Sequence, residues 1–345
     1  MKLAIEMGPI QPGTLKRTVE WVQFAEKLGV SMAFSAEAWW SDAITPLAFL
    51  ADKTRSIKLA TGIMQTTART PAMTAMSALT LHDLTGGRFI LGLGASGPQV
   101  VEGLHSVAYH PPLARLQETV DICRLIFAGE KVEYQGKVFQ MPLPDSEGKP
   151  IKIAHEPVEI PIYLATLGPN ALRYTGSSAD GWLGTSFSPD HPEAHLSFLQ
   201  EGAERSARAL EDLDLCVSVR VELGDDLTAM IERRKPAVAF NMGGMGSAKT
   251  NFYNDAFKRA GYAEDATAIQ QLWIQGKRQA AAQRVPDAMV TQFQALGDHT
   301  MVTERLRKYR DAGVTTLKLG LDSAGPIGPA RYELLEQIVD LTRDL

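Results

Sequence analysis

A (β/α)8 TIM barrel with insertions is the fold that the sequence predicts, and three observations lead to it. Short apolar runs typical of buried strands alternate with amphipathic stretches of helical period, at a spacing of roughly 30 residues. Eight such runs occur along the chain. The length of 345 residues accommodates one large α/β domain. We therefore expect a mostly parallel sheet with helices outside it, in a single domain over 1–345.

Four strands are predicted in the first part of the chain, with helices between them. The strands are 2–7, 30–39, 57–64 and 89–91, and the helices are 14–27, 42–52, 70–84 and 113–127. Thr14 and Thr70 can cap their helices, and Pro71 stands at a first helical position, where its missing N–H costs nothing. Gly86 stops the third helix.

The strand–helix pattern resumes after residue 160. The strands are 160–166, 180–185, 213–223 and 314–321, and the helices are 169–179, 192–210, 227–240, 303–312 and 329–345. Two segments fall outside this pattern. The first, 132–141, is predicted to be a hairpin that turns at Gln135-Gly136. The second, 242–298, is too long for a simple connection, and its pattern predicts a helical insertion near the barrel mouth.

Composition excludes several classes of function. The net charge is −5 and no basic stripe is present, so a nucleic-acid partner is not expected. No apolar run approaches the roughly 18 residues of a membrane helix, and the N-terminus does not have the pattern of a signal peptide. Cys123 and Cys216 are far apart in apolar runs, which favours buried thiols in a reducing compartment. We expect a cytoplasmic protein that acts on a small-molecule substrate.

The stretch RFILGLGASGPQVVEG (88–103) joins a buried strand to a glycine-rich loop, where α/β proteins place ligands. Its glycines, Gly92, Gly94 and Gly97, also match the spacing of the dinucleotide fingerprint. That fingerprint needs a helix that opens at the third glycine and an acidic residue at a strand end about 20 residues on. Here Pro98 follows Gly97, and the candidate acid Glu118 lies in a predicted helix. We favour a backbone-lined ligand site in another α/β fold, with a purely structural turn as the alternative.

Candidate functional groups follow other strands. Glu37 ends the second strand and is either a general acid or ligand acceptor, or a structural carboxylate that pairs with an Arg or Lys. Trp39 and Trp40 either stack on a planar ligand or enter the core. In ATLGPNALRYTG (165–176) the strand ends at Thr166 and Pro169 opens a helix, so free N–H groups there form an anion site or an ordinary turn.

Metal and hydrolytic chemistry find little support. His191 and His195 have helical i,i+4 spacing, but no third ligand is evident and we expect no metal. The sequence contains no Gly-x-Ser-x-Gly elbow, Walker loop or Cys-x-x-Cys pair.

Three blocks in order resemble the luciferase-like oxidoreductase superfamily, and more closely its branch that uses the deazaflavin coenzyme F-420. They read FSAEAWWSDAITPLAFLA, IKLATGIMQTTARTPAMTAMSALTLHDLTGGRFILGLGASGPQVVEG and MGGMGSAKTNFYNDAFKRAGY. The resemblance extends over essentially the whole chain. It implies a bacterial luciferase-like (β/α)8 barrel, a homodimer, and a cofactor across the carboxyl mouth. It also implies a non-proline cis peptide at Gly62-Ile63, whose bulge would support the deazaflavin ring.

The resemblance further implies a set of cofactor contacts by position. They are Glu37, Gly62, Ile63, Gln65, Ser96, Gly97, Pro98, Gln99, Thr166, Leu167, Gly168, Pro169, Asn170 and Ala171. The helix start after Gly168 is similar to the phosphate site of the family. The related sugar-phosphate dehydrogenases carry an Asp-His pair and a Glu where this chain has Glu37-Ala38 and Gly97. A sugar-phosphate substrate is therefore not expected, and Glu37 is left as the catalytic candidate.

Three hypotheses follow. The first is an F-420-dependent oxidoreductase that transfers a hydride to or from a small organic substrate. The second is an FMN-dependent monooxygenase of the same fold, and the third is a ligand-binding barrel without catalysis. Residues 242–298 should shape the substrate pocket, with 242–246 as a mobile apolar lid or as a helix-ending loop at a dimer contact. Truncation of this segment should change substrate range and leave cofactor affinity unaltered.

Overall fold

The structure, a computed structural model, describes residues 1–37, 40–247, 249–343 and 345. The strands are β1 (Lys2–Glu6), β2 (Met32–Ser35), β3 (Lys58–Thr61), β4 (Met64–Gln65), β5 (Phe89–Gly94), β6 (Tyr134–Gln135), β7 (Gln140–Met141), β8 (Ile162–Ala165), β9 (Gly181–Gly184), β10 (Asp214–Leu223), β11 (Ala295–Gly297) and β12 (Thr316–Gly320). Predicted residue Trp39 lies outside the described residues, as does Ala38.

The helices begin and end as follows: α1 (Leu15–Lys27), α2 (Ile44–Ala51), α3 (Pro71–Thr85), α4 (Pro98–Gly103), α5 (Pro112–Phe127), α6 (Pro169–Ser178), α7 (Glu193–Arg205), α8 (Leu227–Gly243), α9 (Phe252–Phe257), α10 (Ala263–Ile274), α11 (Arg278–Gln283), α12 (Asp287–Thr291), α13 (His299–Asp311) and α14 (Pro329–Thr342). A π-helical turn, Lys258–Tyr262, joins α9 to α10, and short 3-10 turns occupy Leu210–Asp212 and Asp322–Ala324.

The chain divides into two compact units. The N-terminal unit comprises Met7–Glu26 and Ser31–Ala165, and the C-terminal unit comprises Met1–Glu6, Lys27–Val30 and Thr166–Leu345. In the N-terminal unit β2 pairs with β3, β3 with β5, and β5 with β8, all in parallel. The short strand β4 also pairs with the end of β5. All six residues of β5 are buried, as expected for a short apolar run between two neighbours.

The C-terminal unit is built on a second set of parallel pairings. The central strand β12 pairs with β1 on one side and with β10 on the other. The long strand β10 also pairs with β9 through its first residues and with β11 through its last ones. Helices α8 to α12 enclose an apolar cluster beside this sheet. Its largest buried side chains include Met230, Met242, Phe257, Ile269, Met289 and Phe293. The predicted helical pattern within 242–298 is therefore confirmed.

All eight predicted strands are present, and the hairpin at 132–141 is confirmed as an antiparallel pair of β6 with β7. The third helix has the predicted caps: Thr70 Oγ1 accepts from Met73 N, and Gly86 closes the end with a φ of 61°. Such a positive φ favours glycine, because it has no Cβ.

Two helix boundaries were predicted wrongly, and one strand was missed. The helix expected over 192–210 ends at Arg205, because Ala207 takes a left-handed φ of 54°. The helix expected from residue 303 begins at His299, because the Asp298 carboxylate caps it through Met301 N. The strand β11 was not predicted, since three residues carry too little periodicity.

Two further expectations concern the cysteines and membrane-spanning helices. Both cysteines are buried and unpaired, and burial raises the pKa of each thiol to about 12. They are therefore structural thiols, as predicted. Among the described residues, no helix has the length and apolar character needed to span a membrane.

Candidate functional site

The peptide bond between Gly62 and Ile63 is cis, as the family resemblance implied. The bulge it forms is tied to the neighbouring strand end: Gly62 N donates to Ser35 O at 2.7 Å, and Glu37 N donates to Ile63 O at 3.0 Å. A Cβ on Gly62 would lie 2.7 Å from Phe34 Cδ1, which is too close for a side chain. The strand ends after β2 and β3 are thereby held as one rigid edge.

The Glu37 carboxylate lies at this edge, and both of its oxygens accept hydrogen bonds. Arg69 Nη1 donates to both oxygens, at 2.6 Å to Oε1 and 2.8 Å to Oε2. The backbone N–H of Gln65 donates to Oε2 at 3.0 Å. The Glu37 side chain is only 7% exposed. Of the two readings of Glu37, this geometry favours the structural carboxylate paired with an arginine.

Gln65 is held by the same group of residues. Its side chain is buried, and its Nε2 donates to Glu37 O at 3.1 Å. The Oε1 atom lies 3.1 Å from His105 Nε2. A fixed amide next to the bulge suits the hydrogen-bonding edge of a planar heterocycle, where orientation matters more than charge.

The glycine loop after β5 is shaped by the bulge. A Cβ on Gly94 would lie 2.9 Å from Ile63 Cδ1, so glycine makes room for the Ile63 side chain. Ser96 has a left-handed φ of 59°. Gly97 then caps α4, which opens at Pro98. The argument that Pro98 opposes a helix here was therefore wrong, because proline is tolerated at a first helical position.

The acid of the supposed dinucleotide fingerprint has a different role. Glu118 lies on α5, as predicted, and it accepts hydrogen bonds from three successive backbone N–H groups, those of Lys137, Val138 and Phe139, at 2.7 to 3.2 Å. Glu118 thus fastens the β6–β7 hairpin to α5. Glu118 is engaged by the hairpin and therefore does not supply the acidic residue that the dinucleotide fingerprint requires.

In the C-terminal unit, the loop 166–168 leads into α6. Thr166 is buried, its hydroxyl lies 2.7 Å from that of Thr175, and its carbonyl accepts from Trp182 Nε1 at 3.0 Å. Gly168 is the N-cap of α6 and supplies no side-chain cap, while Pro169 takes the first helical position. The N–H groups of the first turn are therefore available to an anionic group.

A cation from the helical insertion lies at this helix start. Arg259 Nη2 donates to Leu167 O at 2.8 Å, and its Nε donates to Ala194 O at 3.1 Å. Burial lowers the pKa of Arg259 from its ordinary value, although an arginine remains charged. Arg173 and Arg259 stack on the Phe198 ring with Cζ 4.9 and 5.9 Å from its centroid. Asn170 Oδ1 accepts from Arg173 at 3.1 Å. A phosphate fits this chemistry.

The remaining candidates take no part in these two groups. Trp40 is 47% exposed, so it does not enter the core. His195 is fully buried with its ring 5.4 Å from that of Trp182. Burial lowers the pKa of His195 to about 3. No cluster of metal-binding side chains was found within the part of the chain that the structure describes. Met242 is fully buried at the end of α8, which favours the helix-ending loop over the lid.

Sequence reasoning missed three residues of these groups: Arg69, His105 and Arg259. Each reaches its partner from a distant part of the chain, 32 residues for Arg69 and Glu37 and 92 for Arg259 and Leu167. Lone arginines and histidines carry no periodic signal. The signal in the sequence was Glu37 at the end of a strand, because a structural carboxylate there would need an Arg or Lys as its partner.

Comparison with known proteins agrees with the family resemblance. The family model described as luciferase-like monooxygenase matches residues 3–316. The Mycobacterium tuberculosis protein Rv3520c, whose name provisionally assigns it as a coenzyme F-420-dependent oxidoreductase, is 38% identical over 333 residues, 94% of this chain and 96% of that protein. The 5,10-methylenetetrahydromethanopterin reductase of Archaeoglobus fulgidus is 27% identical over 324 residues, 92% of each chain.

Among solved structures, the coenzyme F-420-dependent tetrahydromethanopterin reductase from Methanopyrus kandleri matches with a TM-score of 0.77 and 25% identity, over 98% of this chain and 97% of that one. The fold class is thus the α/β barrel that the alternation of strands and helices predicted. With the family model over residues 3–316 and the 38% identity across nearly its full length, the chain belongs to the luciferase-like monooxygenase family.

Proposed function

We propose that this protein is a coenzyme F-420-dependent oxidoreductase that transfers a hydride between the deazaflavin and a small organic substrate. The observation that carries the proposal is the 38% identity, over 94% of the chain, to a protein named for this activity. The 5,10-methylenetetrahydromethanopterin reductase that shares 27% identity over 92% of the chain is an oxidoreductase by its name and supports the same class. The enzyme is accordingly an oxidoreductase.

The two groups of residues fit the two ends of such a cofactor. In the N-terminal unit, the ring would contact Glu37, Gly62, Ile63, Gln65, Ser96, Gly97, Pro98 and Gln99. In the C-terminal unit, the phosphate would lie on Thr166, Leu167, Gly168, Pro169, Asn170 and Ala171. The support is chemical: a cis bulge and small residues offer backbone to a flat ring, and an uncapped helix start beside Arg259 offers donors to a phosphate.

When bound, the deazaflavin supplies a hydride at a ring carbon, so the protein has to bind, orient and exclude water. Glu37 is a positioning residue in this proposal. Its carboxylate aligns Gln65 N and Arg69, both of which lie beside the bulge. The proton that accompanies the hydride must then be handled by another group.

The proposal includes a homodimer that works in the cytoplasm. Support for the dimer comes from apolar side chains exposed on two successive helices of the N-terminal unit: Phe49, Met73, Met76 and Leu84 are each 42 to 53% exposed. Light scattering should give twice the mass of one chain. A Met73→Lys, Met76→Lys double variant should give monomers, and a monomeric wild type would contradict this part of the proposal.

The experiment that tests the cofactor assignment is a pair of titrations, with F-420 and with FMN, on the purified apo protein. The test variant is Gly97→Glu, and Gly103→Glu is its control, because Gly103 ends the same short helix and a Cβ there meets nothing within 4 Å. We expect micromolar or tighter F-420 binding that only Gly97→Glu abolishes.

Each other result has its own meaning. Preference for FMN would favour the monooxygenase hypothesis. Tight F-420 binding without reduction by any donor would favour a binding protein. Equal loss in both glycine variants would remove the glycine loop from the cofactor site.

A further inference from the structure

His105 lies beside the residues that we assign to the deazaflavin ring, and it belongs to the same N-terminal unit. Its Nε2 is 3.1 Å from Oε1 of Gln65, which is one of those residues, and the His105 side chain is only partly buried. The cofactor contacts expected from the family resemblance do not include His105. Its imidazole has two nitrogens, and Gln65 engages one of them.

The hydrogen bonds around Gln65 determine the tautomer of this imidazole. Glu37 O is a backbone carbonyl and can only accept, so the side-chain atom 3.1 Å from it is the amide nitrogen of Gln65. The atom that meets His105 is then the amide oxygen, which also can only accept. His105 Nε2 must therefore carry a hydrogen, and in the neutral imidazole the lone pair is on Nδ1.

Gln65 is held too firmly to change this arrangement. It is 2% exposed, and the pairing of β4 with β5 sets it beside Gly94. Its backbone N–H donates to the Glu37 carboxylate at 3.0 Å, while its side chain donates to the Glu37 carbonyl. If the amide turned over, two oxygens would face each other at Glu37 O, and a buried hydrogen bond would be lost.

The chain that leads from the glycine loop to His105 is compact. Helix α4 begins after its N-cap, Gly97. At the other end of α4, the N–H groups of Leu104 and His105 both donate to Val100 O, at 2.9 and 3.3 Å. His105 is thus connected through α4 to the glycine loop and directly to Gln65, and we assign both of these to the ring.

The second imidazole nitrogen of His105, Nδ1, remains for a ligand. Within the part of the chain that the structure describes, it forms no hydrogen bond. It is also not one of the enclosed polar atoms that lack a partner, so it borders open space. His105 therefore offers a hydrogen-bond acceptor, whose position is fixed by Gln65, to a ligand at this site.

We infer that His105 is a cofactor-binding residue, whose Nδ1 accepts the imide N–H of the deazaflavin and so recognises the pyrimidine edge of the ring. The inference rests on the proposed function. The pyrimidine edge carries an N–H between two carbonyls, so it needs an acceptor at its centre. The hydroxyl at the other end of the ring system is a vinylogous acid, which readily loses its proton and then has no hydrogen to donate.

Nitrogen NMR of protein with labelled imidazoles tests the tautomer first. The chain has seven histidines, and the signals of His105 are those that disappear in His105→Gln. At a pH where the imidazole is neutral, we expect a hydrogen on Nε2 and none on Nδ1 in the apo protein. Addition of F-420 should then shift the Nδ1 signal, and the N3-methyl derivative of F-420, which has no imide hydrogen, should not.

Fluorescence titrations with F-420 and with its N3-methyl derivative measure the contact itself. They compare the wild type with two variants that each keep one half of the imidazole. His105→Gln can still donate to Gln65 from the place of Nε2, but it has no acceptor at the place of Nδ1. His105→Asn keeps an amide oxygen near the place of Nδ1 and is too short to reach Gln65. The control is His110→Gln, an exposed histidine on the same segment.

We expect His105→Gln to weaken F-420 binding by about tenfold, because the imide N–H loses its acceptor. The affinity ratio between F-420 and its N3-methyl derivative should fall by the same factor, since the methyl group then removes no hydrogen bond. His105→Asn should retain part of this ratio, and His110→Gln should behave as the wild type. Denaturant unfolding of each variant, measured in parallel, should show that all of them are folded.

Three results would overturn the inference: a hydrogen on Nδ1 in the apo protein, wild-type F-420 affinity in His105→Gln, or an affinity ratio that is the same in His105→Gln as in the wild type. The last result would hold even if His105→Gln binds F-420 less tightly, because His105 would then only support Gln65. Failure of the wild type to bind F-420 would instead overturn the proposed function.

Discussion

Nη1 of Arg69 contacts both carboxylate oxygens of Glu37, at 2.6 and 2.8 Å, and joins the end of β2 to the chain that follows β4. The guanidinium is 18% exposed and the carboxylate 7%. A pair so shielded from water costs more to break than a surface pair, because the remaining charge stays uncompensated.

Replacement of Arg69 by Met should therefore lower the free energy of unfolding by about 2–4 kcal/mol and weaken F-420 binding by about tenfold. Denaturant unfolding and fluorescence titration measure the two effects. The control is Lys16→Met, which breaks a pair of exposed side chains 3.8 Å apart and should cost less than about 0.5 kcal/mol. Equal costs for the two variants would contradict the buried role of Arg69.

Gly94→Ala tests the contact between the bulge and the glycine loop. The new Cβ would lie 2.9 Å from Ile63 Cδ1, so Ile63 must shift. We expect a stability loss of about 1–3 kcal/mol, together with weaker F-420 binding. Gly103→Ala adds the same methyl group where nothing lies within 4 Å, and it should be neutral. If F-420 binds Gly94→Ala as tightly as the wild type, Ile63 does not support the ring.

Arg259→Met tests the proposed phosphate site. Removal of the cation beside the start of α6 should weaken F-420 binding by about tenfold or more, and the loss should shrink as salt increases. A deazaflavin that lacks the phosphate should bind both proteins equally. Lys258→Met removes the same charge one residue away, where the ammonium pairs with Asp255 at 3.5 Å, and should have no such effect. The idea fails if both variants lose the same affinity.

Glu118→Ala removes the group that fastens the hairpin. Three backbone N–H groups would lose their acceptor, so we expect a stability loss of about 2–3 kcal/mol with unchanged F-420 affinity. Glu118→Gln keeps one acceptor oxygen and should lose less. The exposed Glu130 gives the control Glu130→Ala. A Glu118→Ala protein as stable as the control would show that the hairpin needs no fastening.

His195 should make the protein acid-sensitive. Burial lowers its pKa from 6.5 to about 3, so below pH 6.5 the unfolded chain takes up a proton that the folded chain does not. Stability must fall as pH drops through this window, by about 1.4 kcal/mol per pH unit from this residue. Denaturant unfolding at pH 7, 6 and 5 should give a shallower decline for His195→Phe. Parallel declines would mean that His195 is protonated in the folded protein.

The barrel could be predicted from the sequence because its signals are local and repeated. Buried strands such as β5 and the caps of α3 depend on residues a few positions apart. The cis bond at Gly62-Ile63 could be placed only through the family resemblance, since no local pattern marks a non-proline cis peptide.

The partners of the candidate site could not be predicted, because they come from far along the chain. Glu37 was identified after its strand, but its two readings could be separated only once Arg69 was seen beside it. The ion pair of Lys318 with Glu6 was hidden for a similar reason. The strand TTLKLGL shows one lysine in an apolar run, and Glu6 comes within 2.9 Å of it only because β12 pairs with β1, from the other end of the chain.

The bond from Arg259 to Leu167 O has a consequence for how this protein can change. Truncation of the insertion was expected to leave cofactor affinity unaltered, whereas the phosphate site that we propose includes Arg259 from the insertion itself and predicts a loss of affinity. In that site, a chimera that acquires a foreign insertion for new substrates would bind the phosphate less tightly unless an equivalent arginine comes with it. Substrate range and cofactor retention would then be inherited together.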